Sequence, residues 1–101
     1  MNKADRKRIL QEYKKKEAEK FIESLPLAKE IFESLFDYLD EKLSEYDCQE
    51  DFTFTIEFLQ DYDCNLEQVL EWLVNNGGGC DCEVLDNVEE LFEEYSGFNK
   101  N

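Results

Sequence analysis

The 101-residue sequence contains no histidine, a single proline and only four glycines. Without histidine, the side chain on which most acid–base and triad chemistry leans is missing, which counts against conventional acid–base and nucleophilic sites. The glycines form no Gly-x-Gly-x-x-Gly string and no phosphate-binding loop. No run approaches the roughly 18 apolar residues that a membrane span needs, so no membrane association is expected. The opening residues, Met1 to Arg8, lack the apolar stretch of a secretory signal. A cytoplasmic location is the expectation, and there the four cysteines serve as thiols or metal ligands rather than as structural disulfides.

Positive charge is scarce beyond residue 20, where three lysines (Lys29, Lys42 and Lys100) face 22 carboxylates. Residues 1–20 are the reverse, with eight basic and four acidic side chains. The formal net charge of the whole chain is −15. So acidic a body repels phosphate backbones and anionic lipid, which makes nucleic acid an unexpected partner. A basic protein surface, or a second copy of the chain, is the expected one. An acidic mimic of DNA is a further alternative that rests on charge alone.

What the chain does have is aromatics, eight Phe, five Tyr and one Trp, within a 42 % apolar composition. That suffices for one small core, and the length allows one domain spanning 1–101. Residues 1–20 read as a basic, partly extended N-terminal helix and 24–96 as an acidic helical core. Helical spacing is clearest in Leu27, Ile31, Phe32, Leu35, Phe36, Leu39 and Leu43, which predicts a central helix ending near Glu45. Ser24 is the expected cap of that helix, with Pro26 in its first turn. Over 52–58, Phe52, Phe54, Ile56 and Phe58 alternate like a strand, yet Phe52, Thr55, Ile56 and Leu59 share a helical face behind Asp51. Helix is favoured because a strand would lack a partner. Asn65 and Gln68 form a capping box for a helix burying Leu66, Val69, Leu70 and Leu73, with Trp72 at its edge. Asn75-Asn76-Gly77 stops it. Asp81 is the expected cap of a last helix carrying Val84, Leu85, Val88, Leu91, Phe92 and Tyr95. The fold class is mainly α: four or five short helices around a central one, with a short strand near 52–58 as the alternative.

The string Gly77-Gly78-Gly79-Cys80-Asp81-Cys82-Glu83-Val84-Leu85 with Asn87-Val88 resembles the C-terminal signature of a family of small bacterial proteins of unknown function. Trp72-Leu73 ahead of the glycines, and Cys48, Thr55, Phe58 and Leu59 upstream, match the same pattern, so the likeness spans roughly residues 31–92. The resemblance implies a bacterial source and no established activity. Family members carry a His just after the upstream cysteine, where this chain has Gln49, Glu50 and Asp51.

All four cysteines fall at joints between the expected helices: Cys48, Cys64, Cys80 and Cys82. Thiolates from separate loops suit a soft metal, above all zinc in a tetrahedral shell. The spacing argues against it, since zinc sites usually pair cysteines two to four residues apart and the close pair here is separated by one. Glu50, Asp51 or Asp81 could add an oxygen. A redox or nucleophilic cysteine is opposed by Asp81 and Glu83, whose charges counter the helix dipole beside Cys80 and Cys82. The pairs Glu89-Glu90 and Glu93-Glu94 read as solvated helix surface. The expectation is a non-enzymatic protein-interaction module with no required cofactor, for which Gly78, Gly79, Asp81, Glu83 and Trp72 are candidate contact residues. A zinc-binding domain built on the four cysteines is the alternative.

Overall fold

The computed structural model describes residues 15–95, and these are mainly α-helical with no strand among them. Helix α1 occupies 15–23. It ends where the Ser24 hydroxyl donates to the Phe21 carbonyl at 2.7 Å, which makes Ser24 a stop for α1 rather than the expected cap of α2. Pro26 disfavours helical geometry at Leu25, so the chain crosses 25–28 as a turn. Helix α2 (Lys29–Glu45) then begins behind Ala28, which has no capping side chain. Pro26 therefore lies outside α2, a turn earlier than expected.

Phe32, Leu35, Phe36 and Leu39 recur at three and four residues along α2, and all are fully buried. The face they form is the floor of the core. Phe92 sits against it, with ring centroids 5.3 Å from Phe32, 5.0 Å from Phe36 and 5.1 Å from Phe21. Trp72 closes the cluster at 5.9 Å from Phe21 and 5.2 Å from Phe32. Phe21 is thus the residue that ties α1 to the body, while Ile22 beside it stays exposed.

The ambiguous segment is helix α3 (Thr53–Leu59), as favoured, and it buries Thr55 and Leu59 completely. Helix α4 (Leu66–Asn75) starts at Asn65, whose side chain accepts the Gln68 N–H at 3.1 Å. It ends in a Schellman turn: Gly78 N–H reaches the Leu73 carbonyl at 2.7 Å and Gly77 N–H the Val74 carbonyl at 3.1 Å. Gly77 has φ +93°, which a side chain rarely tolerates. Gly78 is needed for closeness instead, since a Cβ there would stand 3.0 Å from both Val84 and Val88. The Asn87 amide locks the turn by donating to the Gly77 carbonyl at 2.8 Å.

The last helical stretch is continuous but not uniform: α5 (Asp81–Glu83), a π turn (Val84–Val88) and α6 (Glu89–Tyr95). A π turn holds more residues than an α turn. Val84, Val88 and Phe92, spaced four apart, accordingly all reach full burial. Glu89 is carried inward as well and is only 9 % exposed, contrary to its expected place on the wet face with Glu90. The expected end of this helix at Ser96-Gly97, and most of the basic helix over 1–20, lie outside the described residues.

Candidate functional site

Asp81 is the residue around which the site is built. It follows the glycine turn as the first residue of α5, and it is fully buried. It does not cap its own helix. Its carboxylate reaches across to α3, accepting the Phe54 N–H at 2.9 Å, the Thr55 N–H at 3.0 Å and the Thr55 hydroxyl at 2.6 Å. A helix leaves its first N–H groups without partners and carries partial positive charge there, so an anion in that position satisfies donors and favours the dipole. In return the Asp81 N–H donates to the Asp51 carbonyl at 2.9 Å. Asp51 supplies the remaining piece, accepting the Thr53 N–H at 3.0 Å and the Thr53 hydroxyl at 2.6 Å. Hydrogen bonding from the Thr53 hydroxyl and N–H holds the Asp51 carboxyl below its usual value, against a smaller opposing effect of burial. The start of α3 is therefore capped by two aspartates, one local and one 26 residues downstream of Thr55.

This pinning draws the 46–52 loop onto the start of α5, and three sulfurs converge as a result. The Sγ atoms of Cys48, Cys80 and Cys82 all lie within 4.8 Å of one another. Cys80 and Cys82 are 3.3 Å apart. Glu50, with φ 58°, provides the left-handed turn that folds the loop back after Cys48. Cys80 is buried, while Cys48 and Cys82 are half-buried.

The sulfurs form one electrostatic unit. Partial burial pushes the Cys48 thiol up. The Cys82 thiol, the backbone N–H groups of Cys82 and Glu50, and the Cys80 thiol all donate to it and bring it below its ordinary value. The Cys82 thiol is pushed up to about 12 because it donates to Cys48 and Cys80, with burial and the neighbouring sulfur charges adding to the effect. The three sulfurs are thus linked through S–H contacts in which Cys48 is the acceptor.

Such a group matches the demands of a thiophilic cation. With zinc–sulfur bonds of about 2.3 Å, sulfurs in a tetrahedral shell stand about 3.8 Å apart, within the span found here. Cys64 is not one of the three. Its sulfur points to the Leu59 carbonyl at 3.9 Å and its side chain packs against the hydrophobic core, so it serves there as a compact apolar residue. Of the five candidate contact residues, Gly78 and Asp81 are buried and engaged in packing and capping, and Trp72 is a half-buried member of the aromatic cluster. Only Gly79 and Glu83 face solvent. Sequence reasoning missed the link from Asp81 to α3; the polar Thr55 on an otherwise apolar helical face was the signal that could have revealed it.

Uncharacterized proteins of Mycobacterium tuberculosis and Mycobacterium bovis are 33 % identical over 88 residues, covering 87 % of this chain and 89 % of theirs. No solved structure matches the chain. Residues 35–87, which take in the central helix from Leu35 onward, both capping aspartates, all four cysteines and the glycine turn, match a family described as protein of unknown function (DUF2695). The chain belongs to that family.

Proposed function

We propose that this protein is a metal-binding domain in which Cys48, Cys80 and Cys82 hold a thiophilic divalent ion, zinc in the first instance. The observation that supports this reading is the convergence of three sulfurs from two separate segments within 4.8 Å. A cation there would displace the protons that the cluster shares and join the 46–52 loop to α5 through bonds instead of S–H contacts. Because metal ligands must be deprotonated and assembled by folding, the binding energy stabilises the folded chain. At free zinc one hundred times the dissociation constant the gain is about 2.7 kcal/mol. Adding zinc to chelator-treated protein should therefore raise its melting temperature, and Cys48→Ser should abolish that rise while leaving the metal-free form nearly as stable. Equal melting curves with and without zinc for the unmodified protein would overturn the proposal. Cys64→Ser should keep the full response.

A protein-interaction role is a second reading, supported by a different surface. Tyr38, Phe58 and Tyr62 form a ledge, with centroids 5.4 and 5.1 Å apart. The Tyr38 hydroxyl is raised by burial, by a hydrogen bond to Glu57 and by the nearby charges of Glu57, Asp61 and Glu41. Aromatic faces ringed by carboxylates suit a basic side chain, and Lys42 of this chain already lies 5.6 Å from the Tyr38 ring. Binding of an arginine-rich peptide that survives Tyr62→Ala would remove this ledge from consideration.

A further inference from the structure

Three sulfurs leave one corner of a tetrahedron open, and the neighbouring carboxylates differ sharply in their freedom to fill it. Asp81 lies between two of the cysteines, but both of its oxygens are taken by the N–H groups and hydroxyl of α3. One oxygen of Asp51 is held by the Thr53 hydroxyl and N–H. Glu83 is different. Its Oε1 stands 3.7 Å from the Cys80 sulfur. Cys80 is the residue preceding α5 and Glu83 is the third residue of that helix, a spacing at which a long carboxylate folds back over the helix start. Gly79 leaves room for it, since even an added Cβ there would stand 3.6 Å from the same oxygen.

We infer that Glu83 is the fourth ligand, so that the ion sits in a shell of three thiolates and one carboxylate oxygen. This inference rests on the metal-binding reading above. With zinc–sulfur bonds of about 2.3 Å and zinc–oxygen bonds of about 2.1 Å, a sulfur and an oxygen sharing a tetrahedral shell stand about 3.5 Å apart. The 3.7 Å between Glu83 Oε1 and Cys80 Sγ is close to that edge. Glu83 stands outside the set of donors within 4.8 Å of one another, so its exposed side chain must turn further over the cluster to complete the shell. The donor set also carries a selectivity. Zinc and cobalt(II) accept a carboxylate beside thiolates, whereas copper(I) is satisfied by the soft sulfurs alone and has no use for the oxygen. Glu83 then separates the two classes of ion, and Asp81 holds the three sulfurs in place without touching the metal.

The test is a competitive titration of the unmodified protein, Glu83→Gln and Glu83→Cys with zinc(II), cobalt(II) and copper(I). Glu83→Gln should weaken zinc binding by about tenfold or more and leave copper(I) affinity unchanged. Glu83→Cys should restore zinc binding and strengthen the cobalt thiolate charge-transfer band by about one third, the ratio of four sulfurs to three. Glu83 is exposed, so both variants should keep the circular-dichroism spectrum of the unmodified protein. Unchanged zinc affinity in Glu83→Gln, or an equal loss for zinc and copper(I), would show that Glu83 is not a ligand while the three-sulfur site stands. A protein that takes up neither zinc nor cobalt in its unmodified form would remove the site itself.

Discussion

The aromatic cluster and the cysteine corner are held by opposite kinds of force. Phe21, Phe32, Phe36, Trp72 and Phe92 meet through tilted and edge-on rings, with centroids between 5.0 and 6.4 Å, in a region where burial does the work and direction matters little. The corner formed by Asp51, Asp81 and the three cysteines is organised differently. It is fixed by directed bonds of 2.6 to 3.0 Å from a buried carboxylate to another helix's first turn. The first region should tolerate swaps of similar volume and fail on loss of volume. The second should tolerate almost nothing that changes the number of acceptors, because each lost partner leaves a buried donor unsatisfied.

The largest effect should come from the aromatic side. Phe92→Ala should cost about 3–5 kcal/mol, read as a lowered urea midpoint, and the loss should be the same with or without zinc. If zinc rescued Phe92→Ala fully, the two regions would not be independent. Asp81→Asn comes next, at about 1–3 kcal/mol. Its shape is preserved, but an amide N–H₂ replaces one of the acceptors facing α3. Hydrogen exchange should accelerate at Phe54 and Thr55 while the Phe32 and Phe36 amides stay protected. A uniform acceleration would mean that Asp81 does not act locally. The smallest effect belongs to Asp51. Its carboxyl is held below the usual range by Thr53, so the stability it contributes is fully present above its unfolded pKa and is lost as pH falls through the folded one. Asp51→Asn should therefore flatten the acid limb of the stability profile, measured by urea unfolding below the ordinary carboxylate range. An unchanged limb would show that the Thr53 contacts do not persist in solution.

The two regions were also unequally legible. The helical periodicity of α2 named the residues that pack, and Asn65 and Gln68 marked the start of α4, because those signals lie within a few residues of one another. Ser24 misled, since a serine beside a proline can close one helix as well as open the next. The π turn was not visible, as Val84, Val88 and Phe92 fit an α stripe nearly as well. Glu89, read as surface, was carried inward by that same turn. The cysteine corner could be named residue by residue but not assembled. Nothing local in Cys48 says that it meets Cys80 and Cys82, and nothing in Cys64 says that it does not. That information resides in a contact between Asp81 and Thr55, separated by 26 positions.

The wide turn at Val84–Val88 has a consequence for the phase of everything before it. One residue corresponds to about 100° of rotation around an α-helix. Deleting Asp86, which is exposed, would convert the turn to ordinary pitch and leave Phe92 seated among the rings. The start of the helix would swing by that angle, carrying Asp81 off α3 and the Cys80–Cys82 pair away from Cys48. The surplus residue in the coil therefore acts as the alignment between a greasy anchor at one end and a chemical corner at the other.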